Sequence, residues 1–232
     1  MQIFVASNYE IEQGELNEIE SKHCIRVLRK KPGDEIKITN GRGDLLTGRI
    51  TNISSKKCNY ELINKIHYPK TTAPLHIGIA PTKNNDRFEW FLEKVTEIGV
   101  DEITPIICQN SERKVIKIDR LNKILVAAMK QSLKAHLPKL NKAVSWKEFI
   151  KQKFNTDRFI AHCGQGRKTP LKQWLKPQQD VMILIGPEGD FSDTEVREAM
   201  GSGFVPVSLG KSRLRTETAA VAACHTISLI NE

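Results

Sequence analysis

Between Arg213 and Glu217 the chain packs two guanidinium groups and a carboxylate into five residues, RLRTE. A strand-like run, FVPVSLG, stands just before it, and the small-residue stretch TAAVAAC follows it directly. A β-turn does not need Arg215 and Glu217 together. A surface helix does not need Ala219-Ala220-Val221-Ala222-Ala223. Residues this small let a helix lie close to another backbone or to a flat ligand, with the charged pair at its start. Arg215 in that place could hold an anion or developing negative charge, and Glu217 could take a proton or position a group. The alternative is that Arg215 and Glu217 pair with each other and cap the helix. A second loop, Ile185-Gly186-Pro187-Glu188-Gly189-Asp190, sets two glycines around a Pro-Glu pair, so main-chain amides can approach a ligand closely. Glu188 is there a further candidate base or positioning group. A third loop is Ala161-His162-Cys163-Gly164-Gln165-Gly166. Cys163 beside His162 is a poor nucleophile couple, because neighbouring strand residues face opposite ways. The glycine spacing matches neither a dinucleotide fingerprint nor a P-loop.

These loops need elements to position them. DVMILIG is a near-continuous apolar run, as is FVPVSLG to a lesser degree, which predicts strands covered on both faces and a largely parallel α/β sheet. RFIAHC, LHIGIAP and EITPIIC are further strands. A helix over DRFEWFLEKVTEIGV has the apolar face Phe88, Phe91, Leu92, Val95 and Ile98, with a capping box from Asp86 to Glu89 and a stop at Gly99. Another runs from Asp119 with Leu121, Ile124, Leu125, Ala128 and Leu133 on one side. Ser145 with Glu148, and Ser192 with Glu195, each cap a helix. In open α/β sheets ligands bind beyond the carboxyl ends of strands, which is where all three loops fall. Trp90, Trp146 and Trp174 sit beside apolar neighbours and are expected in the core.

Residues 1–70 differ in rhythm. QIFVA, EIKIT, LLTGRITNIS and NYELINKIHY read as strands, and Leu16, Ile19, Cys24, Val27 and Leu28 as one helical face. That combination predicts a small β-barrel. HYPKTTAP is the expected linker to a second domain, 71–232.

Composition narrows the function classes. The 232 residues carry a formal charge of +9, which favours a polyanionic partner, nucleic acid ahead of a membrane surface. No apolar run reaches the ~20 residues of a membrane span. MQIFVASNYEIEQ has no signal-peptide pattern, so a cytoplasmic location is expected. The five cysteines, Cys24, Cys58, Cys108, Cys163 and Cys224, contain no CxxC spacing, which predicts neither a disulfide framework nor a zinc site.

IGPEG, followed by SLG and LRTETA, resembles the SPOUT class of S-adenosylmethionine-dependent RNA methyltransferases. Within it the chain resembles the bacterial RsmE family, the 16S rRNA (uracil-1498-N3)-methyltransferases. HCIRVLRKKPGDEI and NGRGDL are similar to that family's small PUA-like barrel, KNNDRFEWFLEKVTEIGVDEITPIIC to its first catalytic-domain motif, and Gln131-Ser132 to another pair. Three places depart from the usual pattern: Asp190 where a glycine is common, Lys211-Ser212-Arg213, and Lys130. The resemblance implies a trefoil-knotted α/β catalytic domain with flanking helices, a PUA-like RNA-binding barrel and a homodimer, while the cysteine and histidine spacing leads to the expectation of no metal. It places S-adenosylmethionine against His162, Cys163, Gly164, Ile185, Gly186, Glu188, Gly189, Leu209, Gly210, Leu214, Arg215, Glu217, Thr218 and Ala219. Arg215 is then the electrostatic catalyst, with Glu188 and Glu217 as candidate bases. Arg26, Arg29, Lys30, Lys31 and Arg42 could grip rRNA phosphates from the small domain, and Lys123, Lys130 and Lys134 from the larger. Methylation of another rRNA or tRNA base, and a non-catalytic ribosome-assembly factor, are the competing readings.

Overall fold

The alternation in EIKIT and its neighbours produces real strands in the computed structural model, which describes residues 2–54, 56–70 and 73–232. Contacts divide it into two units: Met1–Lys70 with Val126–Leu137, and Thr71–Leu125 with Pro138–Glu232. Part of the expected linker, Thr71-Thr72, lies outside the described residues.

In the first unit the elements are β1 (Ile3–Val5), α1 (Asn8–Gln13), β2 (Glu15–Leu16), α2 (Glu18–Lys22), β3 (Glu35–Thr39), β4 (Asp44–Ile53) and β5 (Cys58–His67). The sheet order is β1-β3-β4-β5-β2, with β1 parallel to β3 and the other pairs antiparallel. Phe4, Leu16, Ile36, Ile38, Leu46, Ile50 and Cys58 fill one core, and the period-2 pattern of β3 is what points Ile36 and Ile38 inward together. This is the barrel-like domain the small strands predict. Within this unit the segment Val126–Leu137 is tied on by its own hydrogen bonds, Gly43 N to Ala135 O (2.9 Å) and Leu137 N to Gly41 O (2.9 Å).

One helical reading is corrected. α1 forms at Ser7–Glu10 through a capping box, and Leu16 sits in a strand. After α2 the backbone turns into a π-helix, His23–Val27. The extra residue per turn slips the side-chain register. Cys24 stays buried, while Ile19 and Val27 turn out to 80% and 66% exposure. Cys24 and Cys58 sulfurs touch at 3.9 Å in the core, and all five cysteines are free thiols.

The second unit contains β6 (Leu75–Ile79), α3 (Asn85–Ile98), β7 (Glu102–Ile107), α4 (Ile118–Gln131, whose last turns group with the first unit), β8 (Lys139–Leu140), β9 (Val144–Ser145), α5 (Trp146–Phe149), β10 (Asp157–Ala161), β11 (Thr169–Pro170), β12 (Val181–Ile185), α6 (Asp193–Gly201), β13 (Val205–Ser208) and α7 (Thr216–Asn231). The sheet is parallel throughout, in the order β11-β13-β10-β12-β6-β7-β8, with β9 also on β7. All five residues of β12 are buried, at roughly 1.5–3 kcal/mol for each large aliphatic chain. α7 packs on α3, β6 and β12. Ala220 and Ala223 are fully buried in that packing, which is why the helix is built of small residues. No helix among the described residues is long and apolar enough to cross a membrane.

Several local readings shift. The N-cap of α3 is Asn84, whose side chain accepts from Asp86 N, so Asp86 is inside the helix rather than its cap. Trp90 lies off the α3 face that buries Phe88, Phe91 and Leu92, and is 42% exposed; Trp174 is 45% exposed. Only Trp146 of the three is buried, donating Nε1–H to Glu198 (2.7 Å). Leu133 falls past the end of α4 in a left-handed conformation and is exposed.

A polar network sits between β6 and β7. His76 Nε2 lies 2.7 Å from Thr104 Oγ1, which also accepts from Asn141 Nδ2 at 2.7 Å. Nε2 and the hydroxyl share one hydrogen bond whose direction follows the ring's tautomer, since the hydroxyl can accept twice as well as donate. The ring's faces and edges meet Phe149 and Phe154. Burial lowers the His76 pKa to about 4. The unfolded chain then binds a proton that the folded one refuses. The stabilising contribution is complete above pH ~6.5 and is lost as pH falls from there towards 4, on the order of 3 kcal/mol at most. Urea midpoints measured from pH 7 to 5 should fall for the native chain and fall less steeply for His76→Gln; identical slopes refute the assignment.

Candidate active site

β13, β10 and β12 lie side by side and end at one level, because Ala161 is paired with both Ile185 and Val207. All three are parallel, so their outgoing chains emerge at the same edge. The segments His162–Lys168, Gly186–Asp190 and Leu209–Thr216 there enclose a cleft of about 910 Å³. Its apolar wall comes from Ala161, Ile185, Val207, Leu209, Leu214 and Ala219. Lys211, Arg213 and Arg215 stand exposed along one flank.

Each loop is fixed by side chains from another. Asp190 accepts from Cys163 N (2.7 Å) and from Phe191 N (2.9 Å), which joins the β12 loop to the β10 loop. Thr216 Oγ1 donates to Gly186 O (3.0 Å), which joins the start of α7 to the end of β12. Ser208 Oγ accepts from Gly210 N (3.2 Å), closing a turn in which Gly210 has φ 141°, a conformation that favours glycine. The Lys168 ammonium donates to Gly164 O. Glu188 Oε1 accepts from Lys83 N (2.9 Å), while its Oε2 is buried with no partner among the described residues. Arg113 Nε donates to Thr82 O (3.0 Å) and Lys83 O (3.2 Å), which steadies the loop bearing that amide.

Of the sequence candidates, His162, Cys163, Gly164, Ile185, Gly186, Glu188, Leu209, Gly210, Leu214, Arg215 and Ala219 line the cleft. Gly189, Glu217 and Thr218 do not. Glu217 is turned into the protein, 6% exposed, with Oε1 3.8 Å from Arg87 Nε on α3 and Oε2 without a partner among the described residues. A carboxylate at the second position of α7 points a hundred degrees or so away from its neighbours, and here that direction is the α3 packing face. Glu217 is therefore set against α3, away from the cleft. Arg215 is the N-cap of α7, makes no side-chain bond to the cap, and has no ion pair among the described residues, so the Arg215–Glu217 pairing does not form. Burial, then Lys168, lowers the His162 pKa, which leaves the ring neutral near pH 7.

Reading along the chain missed Asp190, Thr216, Lys168 and Ser208 as site residues. Thr216 lies inside the RTET motif and Asp190 directly follows the GPEG loop, so both were in view without their direction. Arg113 gave no signal at all. In the first unit Arg26, Arg29, Lys31 and Arg42 are exposed, and Lys30 donates to Glu35 O (3.2 Å). Lys130 is not a free cation: its ammonium is held by both oxygens of Glu20 at 2.6 and 2.8 Å. Lys134 is half-buried and Lys123 exposed.

Residues 16–63 match the RNA methyltransferase PUA domain and residues 69–228 the RNA methyltransferase domain. The chain is 34% identical to ribosomal RNA small subunit methyltransferase E of Mesomycoplasma hyopneumoniae, over 69% of this chain and 72% of that one. A Porphyromonas gingivalis crystal structure described as a probable rRNA-methyltransferase superposes with TM-score 0.92 at 41% identity, covering 100% and 98% of the two chains. A ribosomal RNA small subunit methyltransferase E from Neisseria gonorrhoeae, solved bound to S-adenosyl methionine, gives TM-score 0.87 at 25% identity, covering 100% and 98%.

The Thr216–Gly186 bond is buried, so losing it strands a carbonyl. Thr216→Val keeps the shape and should lower stability by about 1–2 kcal/mol, seen as a lower urea midpoint at unchanged slope; an unchanged midpoint removes the bond from the account.

Proposed function

The chain belongs to the family of the small-subunit ribosomal RNA methyltransferases E, and on that premise we propose that it methylates N3 of a uridine in small-subunit rRNA with S-adenosylmethionine. The carrying observation is the cleft at three parallel strand ends, lined by both the GPEG and the LRTETA segments.

The residues fit the cofactor. The apolar wall of Ile185, Leu209, Leu214 and Ala219 suits a flat purine. Glu188 Oε2, buried and unpartnered, suits a hydroxyl or ammonium donor. The main chain at Gly186, Leu209 and Gly210 would supply the remaining contacts. When bound, the cofactor offers an electrophilic methyl group on a sulfonium.

The chain's own residues handle the nucleobase. Uridine N3 carries a proton that must leave before its lone pair is available. Arg215, unpaired at the positive start of α7, would stabilise the resulting imidate oxygen or hold the adjoining phosphate. Glu217 cannot take the proton from where it lies. His162, neutral and on the cleft wall, and Glu188 are the acceptors that face it.

The exposed cations Arg26, Arg29, Lys31 and Arg42 would grip RNA phosphates. The 209–216 segment, running against both other loops before α7 turns back over α3, suits the trefoil knot. The outward stripe Thr218, His225 and Leu229 on α7 would meet a second copy in a homodimer. The cytoplasm, where small subunits are assembled, is the proposed compartment.

Arg215→Ala should lower methyl transfer by at least about 100-fold while S-adenosylmethionine affinity stays within about threefold. Unchanged turnover discards the role of Arg215. Mass spectrometry of rRNA from cells lacking the protein should show one unmethylated uridine; a fully methylated rRNA rejects the activity. Binding of the rRNA should also weaken steeply with salt, and a flat response removes the phosphate grip.

A further inference from the structure

Behind the cleft lies the loop that follows β7, and its own bonds hold it still. Cys108 N donates to Ser111 Oγ (3.0 Å) and Ser111 N to Cys108 O (3.1 Å), with Ser111 buried. Gln109 N donates to Glu195 Oε1 (2.8 Å). Glu195 is itself buried and accepts from Ser192 N and Oγ at the start of α6. From this anchored loop Asn110 Nδ2 donates to two carbonyls at once, Gly189 O and Asp190 O, each at 3.1 Å.

Those carbonyls flank a strained place. Asp190 has φ 62°, in the left-handed region that L residues other than glycine resist. Gly189 packs so tightly on Asn110 that a Cβ there would come within 3.1 Å of the Asn110 Cβ. This explains why Gly189 is a glycine although it lines no cleft. In this turn the Asp190 carboxylate accepts from Cys163 N (2.7 Å), and Glu188 stands two residues earlier on the same loop.

We propose that Asn110 is a positioning residue for the cofactor cleft, holding the Gly189–Asp190 turn left-handed so that Asp190 can join the β12 loop to the β10 loop. The inference rests on the cleft being the S-adenosylmethionine site. Asn110 does not line the cleft and acts through the turn.

Its particular mark is energetic coupling. Glycine adopts this conformation without support. Asn110→Ala should therefore matter in the native chain and matter little once Asp190 is glycine. Calorimetric titration of the full chain with S-adenosylmethionine tests this. Absence of binding by the native protein would reject the cleft as the cofactor site, not the role of Asn110. Given native binding, Asn110→Ala should weaken affinity by at least about fivefold. In the Asp190→Gly background the same change should cost less than about twofold. Equal losses in both backgrounds, or no loss in the native one, overturn the proposal. Hydrogen exchange of the unliganded protein gives a second decision, and it stands even if Asp190→Gly binds too weakly to titrate. Asn110→Ala should accelerate exchange in a peptide spanning 187–191 and leave peptides from β4 unchanged. Unaltered exchange at 187–191, or acceleration everywhere, also overturns it.

Discussion

Parallel strands cannot be joined by tight turns, so every one of them must hand its chain to a crossover at the same edge of the sheet. In this protein that constraint brings the ends of β13, β10 and β12 into adjacent positions, locked by the pairing of Ala161 with Ile185 and Val207. Three segments that are far apart in the sequence thereby become the walls of one cleft. The cleft holds its shape because its loops are bonded to one another, through Asp190 to Cys163, Thr216 to Gly186 and Glu188 to Lys83. A disturbance in one wall is passed to the next.

The charged groups divide into two kinds by their surroundings. Glu195 and the Glu20–Lys130 pair are buried or nearly so, and their partners satisfy them; such groups hold elements in place. Glu217 leans on Arg87 at 3.8 Å and keeps one oxygen without a partner among the described residues, a costly arrangement that ties α7 to α3. Lys211, Arg213 and Arg215 are exposed beside the cleft. Solvated charges of that kind cost little to maintain and are available to an anionic substrate. The net charge of the chain alone does not distinguish these kinds.

The small residues of α7 have a packing role first. Ala220 and Ala223 are wholly buried where the helix crosses α3 and the strands beneath it. Larger side chains there would separate α7 from the sheet and lift Thr216 away from Gly186. Close helix packing and a closed cleft are thus one requirement, met by the same run of alanines.

Local rules were enough to read much of this from the sequence. The apolar runs marked the parallel strands, Ser145 and Ser192 with their glutamates marked helix starts, and GPEG and LRTETA marked two cleft walls, because each signal depends on neighbours a few residues away. What stayed hidden depends on direction or on distant partners. The π-helix at His23–Val27 turned Val27 outward, and α2 buried Glu20 and Ser21 rather than Ile19; Trp90 fell on the outer side of α3; Glu217 turned towards Arg87; Lys130 met Glu20 more than a hundred residues earlier. Asn110 and Arg113 came to the cleft from a loop with no motif. By itself the sequence determined which segments become strands, helices and candidate loops, since backbone propensity and hydrophobic period are local. Only the tertiary structure decided which side chains face the cleft, because burial, pairing and left-handed turns are settled by residues that meet solely after folding.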